Sequence, residues 1–198
     1  MEVDGLTFRR AVRAADLFRA VDPWRPVLTG FGLYVQDDRL VIEAADNYIC
    51  CRVRVPIKDP NGTWTAPAPF RVDGLLAVAG LIRKGDKVQI SGGDELTVAV
   101  RRGPTTIMAT DPANGDKWPD TSIAFGRAVV KKLGTALLNP GLLSRVIKAA
   151  DIIGGTYFAE SRYLAPFHVW SENPDGLTLD AVLMPIKRTP DERPGSRP

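Results

Sequence analysis

LTFRRAVRAADLFRAVDPWRPVLTGFGLYVQDDRLVIEAADNYICCRVRVP, residues 6–56, holds the pattern that decides the fold. Leu6 to Val21 reads as an amphipathic helix: Phe8, Val12, Ala15, Phe18 and the flanking Val21 recur at helical spacing, with Arg9, Arg10, Arg13 and Arg19 off that stripe. Asp22-Pro23 stops it. Three β-like runs follow, Val27 to Val35, Leu40 to Ala45 and Ile49 to Pro56, joined at Gln36-Asp37-Asp38 and Asp46-Asn47. The unit is a helix followed by an antiparallel meander.

The same order recurs downstream. Beyond a Pro- and Gly-rich loop, Lys58 to Pro69, come a short run at Phe70 to Val72, a helix over Asp73 to Arg83, and runs at Lys87 to Ser91, Leu96 to Arg101 and Thr105 to Thr110. A linker-like segment, Pro112 to Asp120, and an unassigned stretch, Thr121 to Thr135, precede a third copy. Ala136 to Leu138 resembles another entering strand, and Asn139-Pro140 opens a helix that ends at Gly154-Gly155. Phe167 to Ser171 and Leu177 to Ile186 supply its strands. Helices alternating with antiparallel strands predict an α+β fold with the helices on one face of a continuous sheet. Thr189 to Pro198 is polar, Pro-rich and expected to be disordered.

Composition sets the bounds. The chain has 198 residues, 44% hydrophobic and 25% charged, with a net charge of +3: a packed globular protein whose slight basicity suits either a polyanion partner or plain solvation. No apolar run reaches a bilayer-spanning length and the first residues lack a secretion signal, so a cytoplasmic location is expected. Cys50 and Cys51 are adjacent in a strand, so their side chains point to opposite faces, and with His168 as the single histidine no zinc site is expected. His168 sits between Phe167 and Val169 and is read as structural. No phosphate-binding loop, nucleophile elbow or His-Glu-x-x-His motif is present, and Asp37, Asp38, Asp46, Asp94 and Glu95 sit at turns, so neither catalysis nor a cofactor is expected.

Several stretches together resemble the bacterial DNA polymerase III beta sliding clamp family, especially shortened clamp-like proteins of bacteriophages. They are Arg25-Pro26-Val27-Leu28 leading to Gly32-Leu33-Tyr34-Val35, Arg39 to Asp46, Phe70-Arg71-Val72 before a helix, Lys84 to Ile90, Trp118-Pro119-Asp120, and Val182 to Arg188. The resemblance implies a DNA-clamp fold, a ring with helices lining its inner wall, and duplex DNA, a replicative polymerase and a clamp loader as partners. Family chains have three domains of two modules each; here one complete domain is expected at 1–120 and a shortened one at 121–188. If a closed ring takes twelve modules, three modules per chain need four chains, and a complete second domain would need three.

A clamp needs sequence-independent attraction to phosphates. Arg9, Arg10 and Arg13 on the first helix, Arg83 and Lys84 after the second, and Arg145 and Lys148 on the third are the candidates, with Lys131 and Lys132 as weaker ones. Basic residues opposite an apolar stripe equally form an ordinary solvated face. Arg101-Arg102 is read either way: as part of that surface or as an edge-strand charge. The resemblance also implies a groove for short partner peptides that includes Val182, Leu183, Met184, Pro185 and Ile186. The same residues read as a last core strand. Two competing functions stand beside the clamp: an adaptor or decoy that binds a replication protein without encircling DNA, and a structural virion component.

Overall fold

The computed structural model describes residues 1–22, 24–58, 68–113, 116–126, 138–160 and 166–185. Residues 59–67 of the Pro- and Gly-rich loop, Lys131, Lys132, Ala136, Leu137, Ile186 and the tail from Thr189 lie outside the described residues.

Three helices fix the layering. α1, Gly5–Asp16, starts where the Asp4 carboxylate accepts the Thr7 N–H at 2.9 Å. A Cβ at Gly5 would stand 2.5 Å from the Asp86 carbonyl oxygen, so glycine permits this close approach. The helix ends at Asp16, short of the expected Val21, because the chain turns there and Ala20 N–H bonds to Leu28 O and Ala45 O. Val21 is consequently 89% exposed and plays no part in the apolar stripe. The stripe is wider than its large residues suggest, since Ala11 and Ala14 are buried with Phe8, Val12 and Ala15. Such small side chains let α1 take neighbours on both flanks, α2 (Asp73–Leu81) and α4 (Pro140–Ile153). Asn139 caps α4 by accepting from Gly141 N–H at 2.9 Å, and Gly154 closes it at φ 78°. Full burial of a Phe side chain contributes ~1.5–3 kcal/mol, so Phe8 and Phe18, both buried, anchor α1 to the core.

The strands form two antiparallel sheets instead of the single one expected. One has four strands in the order β1 (Glu2–Asp4), β6 (Lys87–Ser91), β7 (Glu95–Arg102), β8 (Thr105–Pro112). The other has seven: β5 (Ala68–Phe70), β2 (Phe31–Gln36), β3 (Arg39–Ala45), β4 (Ile49–Pro56), β11 (Thr178–Leu183), β10 (Phe167–Glu172), β9 (Thr156–Glu160). The first two helix-and-meander units exchange their entering strands. β1, ahead of α1, pairs with β6 of the second unit, and β5, ahead of α2, pairs with β2 of the first. At both seams the sheets nearly meet, through Lys58 N–H to Glu2 O at 3.0 Å and Arg71 N–H to Pro112 O at 3.2 Å.

Some sequence expectations need correcting. Pro26–Thr29 forms a 3-10 turn, so the strand expected from Val27 begins at Phe31; Pro26 and the Leu28 N–H bond to Arg25 O favour the turn. Thr156–Glu160, between the end of the third helix and the strand expected at Phe167, forms β9, giving the third unit a helix and three strands. Within Thr121 to Thr135, a short helix α3 occupies Ser122–Gly126. The Asp37-Asp38 turn holds, with both residues at positive φ as a two-residue hairpin demands.

All three long helices lie on one side of the sheets. One apolar core joins them, from Val3 and Phe8 through Leu75 and Val98 to Ile153 and Leu183. The units meet at a seam where β4 and β11 pair from Arg54 opposite Thr178 to Ile49 opposite Leu183, with α1 against α4 above it. Arg54 and Asp180 form an ion pair across the seam.

Candidate functional site

The sheet face away from the helices carries a polar hub. Glu43 on β3 is 1% exposed, and its carboxylate accepts from Tyr34 Oη at 3.0 Å, Arg52 Nε at 2.6 Å and Trp118 Nε1 at 2.7 Å. A buried carboxylate is tolerable only with such compensation. Burial, and then the adjacent Glu43 charge, push the Tyr34 phenol up to about 12, so it stays a donor.

The hub ties down the connector that follows β8. Trp118 lies flat on Gly32, where any Cβ would stand 2.6 Å from the indole ring. Arg52 Nη2 donates to Thr121 Oγ1 at 2.9 Å, and its guanidinium sits 4.2 Å above the Phe125 ring. Phe125 meets His168 edge-on, and the His168 ring lies tilted against Trp170 with centroids 5.4 Å apart.

Beside the connector lies a cavity of about 230 Å³. Its floor is Leu28, Ala45, Cys50 and Val182; Pro119, Thr121 and Ala124 of the connector form one wall. Tyr48 and Met184, 60% and 37% exposed, stand at the rim with Arg25. Met184 N–H donates to Tyr48 O at 2.8 Å, fixing the end of β11 to the β3–β4 turn. Burial pushes the Cys50 thiol up to about 12, so it presents a neutral apolar surface and no nucleophile. Cys51 faces the helix core, as the alternation predicts, and both thiols are free.

Of the expected groove residues, Val182 and Met184 line the cavity. Leu183 is a correction: strand alternation turns it into the helix core, where it is fully buried. Pro185 is half-buried and not part of the lining. Sequence reasoning missed the floor from Leu28, Ala45 and Cys50 and the connector wall; the Trp118-Pro119-Asp120 stretch was its one visible signal.

On the helix side, Arg10 and Arg13 are exposed on α1, and Arg10 makes a solvated pair with Asp175 at 3.4 Å. Arg9 is half-buried and donates to Ile82 O at 3.0 Å, so part of its donor set belongs to the end of α2. Arg83, Lys84 and Lys148 are exposed. Arg145 is a second correction. Its guanidinium turns into the seam, bonding Leu17 O, Arg19 O at 3.1 Å and Asp46 Oδ2 at 3.1 Å, where it joins α4, the end of α1 and the β3–β4 turn that bounds the groove. Arg102, half-buried, is likewise engaged, bridging Asp86 and the Leu81 carbonyl. Among the described residues, no helix is long and apolar enough to cross a membrane, and no group of three His, Cys, Asp or Glu side chains is placed to hold a metal.

The sequence matches no family model and no curated protein. Solved structures do match. A chain of the PCNA2–PCNA3 complex from Sulfolobus tokodaii superposes with a TM-score of 0.68 at 12% identity, over 93% of this chain and 99% of that one. The DNA polymerase sliding clamp from Pseudomonas aeruginosa gives 0.67 at 16% identity, over 95% of this chain and 66% of that one. The sliding clamp from Bacillus subtilis gives 0.57 at 14% identity over 93% of this chain. This chain thus spans about two thirds of the Pseudomonas clamp's length and 48% of the Bacillus clamp's. Across nearly its whole length, the chain has the fold of the DNA polymerase sliding clamps.

Proposed function

We propose that this protein is a sliding clamp: it holds duplex DNA without reading sequence and receives a peptide segment of a replication polymerase in the connector-walled groove. The observation that carries the reading is the clamp fold itself, with every long helix on one side and two exposed arginines, Arg10 and Arg13, on the central helix. Flexible cations on a helix face attract phosphates without fixing a register, as sliding requires. The cavity is smaller than the ~300–1,000 Å³ of small-molecule sites and suits a few apolar side chains of an extended peptide. Flexible Met184 adapts its rim to different sequences.

DNA binding measured against salt tests this. Arg10→Ala with Arg13→Ala should weaken binding uniformly across sequences and reduce the log–log salt slope by about 1–2. An unchanged slope would remove α1 from the DNA-facing surface. A second reading, a clamp-fold adaptor that binds a replication protein without enclosing DNA, draws support from the sparse charge of that side: α2 exposes Ala77, Gly80 and Leu81, and the Arg145 guanidinium is engaged within the fold. Retention on closed circular DNA but loss from linear DNA separates the clamp from the adaptor.

A further inference from the structure

Two segments make the rim of the groove, and both overhang the seven-stranded sheet. Pairing of β3 with β4 ends at Ala45 opposite Cys50, so Asp46, Asn47 and Tyr48 project beyond the last rung. Met184 likewise follows the last rung of β4 with β11, Ile49 opposite Leu183. Local bonds close the turn: Asp46 N–H donates to Ile49 O at 2.8 Å, and Asn47 N–H to Asp46 Oδ1. Met184 N–H, bonded to Tyr48 O, links the two segments. All of these bonds lie within the rim, so they do not fix how far it leans over the cavity.

That constraint arrives from the helix layer. Arg145 on α4 reaches Asp46 Oδ2, the carboxylate oxygen that the Asn47 N–H does not use, with Nη1 at 3.1 Å. Its other donors are committed to the end of α1, where a helix leaves carbonyls unmatched: Nε bonds Leu17 O, and Nη2 bonds Arg19 O at 3.1 Å. A guanidinium is planar and its N–H directions are fixed relative to one another, so two bonds to α1 aim the third. Arg145 and Asp46 have 26% and 20% side-chain exposure, so water and salt screen the pair less than a surface pair. The end of α1 also bears on the floor. Ala20 N–H bonds both Leu28 O and Ala45 O, and Leu28 and Ala45 line the cavity. Rim and floor are therefore held to one common support.

We infer, on the reading of the groove as a peptide site, that Arg145 is a positioning residue for it: through Asp46, Arg145 sets the Asp46–Tyr48 rim against the floor and so governs how tightly a peptide is held. Arg145 does this from the helix side, without touching the peptide.

The probe is the tightest dodecapeptide that a random library yields on the full wild-type chain and that Met184→Glu, a change at the exposed rim, weakens at least about tenfold. Its dissociation constant is measured on Arg145→Ala, Asp46→Asn and the double variant, and amide hydrogen exchange is followed on each without peptide. Asp46→Asn keeps Oδ1 for Asn47 and both bonds from Arg145 to α1, and cuts only the tie between them; it reports on the rim even if Arg145→Ala fails to fold. Each single change should weaken the peptide about tenfold, and the double change no more than either, because both remove the same bond. Exchange of the Asp46 and Met184 amides should quicken in both single variants, and exchange of the Ala20 amide in Arg145→Ala alone. Peptide affinity unchanged by Asp46→Asn, single effects that multiply in the double variant, or rim amides that keep their protection would overturn the role of Arg145 and leave the groove standing. A library that yields no peptide sensitive to Met184→Glu would instead remove the groove reading, and this role with it.

Discussion

The two faces of the seven-stranded sheet are built by different means. On the helix side, alanines and aliphatic residues hold α1 between its neighbours, and many substitutions of similar volume would preserve the packing. On the other side, one carboxylate, Glu43, gathers three donors from three segments and through them the connector. Packing spreads its energy over many contacts, whereas the hub concentrates it in one group. The connector wall of the groove therefore depends on a single residue in a way that the helix face does not.

Glu43→Gln is the change that should break this contrast most sharply. The amide keeps the volume but removes the charge opposite Arg52 and cannot accept from all three donors, so we expect a loss of about 3 kcal/mol. For a chain of this size that corresponds to a fall in Tm of about 6–12 °C. The connector should loosen with it. Thermal unfolding gives the first number; increased hydrogen exchange at Thr121 to Phe125, with α1 unchanged, gives the second. Equal loosening on both faces would mean that the hub acts on the whole fold and not on the groove.

This contrast also explains what the sequence disclosed. Helices and meanders were legible because their apolar periodicity is local: Phe8, Val12 and Ala15 announce α1, and alternation in Arg52 to Pro56 announces β4. The groove was half legible. Its β11 side is one short stretch, but its floor and wall come from residues 28, 45–50 and 119–124, which only the tertiary fold unites. Arg145 was misread for a related reason. Its spacing to Lys148 puts both on neighbouring positions of α4, yet the seam with the end of α1 lies on Arg145's side and supplies two carbonyls and Asp46. Nor does periodicity announce a three-residue strand such as β1, whose existence depends on the edge of β6.

Arg145 and Lys148 let the comparison be sharpened within one helix. Arg145→Ala removes a guanidinium from partly buried carbonyls and from Asp46, and should cost about 2 kcal/mol while leaving the salt slope of DNA binding unchanged. Lys148→Ala should do the reverse: stability within about 0.5 kcal/mol of wild type, and a salt slope lower by about 1 if α4 faces the duplex. Urea unfolding and salt titration of both variants separate the roles. A salt effect from Arg145 that matches that from Lys148 would return Arg145 to the solvent-facing set.

The smallest effect belongs to an ion pair on the helix side. Hydrogen bonds from the Arg102 guanidinium, helped by the Arg83 N–H, hold Asp86 down to about 2, below the ordinary value of 3.8. A carboxyl whose folded pKa is depressed stabilises the fold above its unfolded value, and that contribution disappears as the pH falls through the folded one. Between pH 4 and pH 2, then, the turn between α2 and β6 should weaken first on this side, since Asp86 bonds both Arg102 and the Arg83 backbone there. Asp86→Asn should flatten this part of the stability–pH curve and make the protein less stable at neutral pH. If the curve kept its wild-type slope between pH 4 and pH 2, the acid response would belong to other carboxylates, and Arg102 would act on α2 through the Leu81 carbonyl alone.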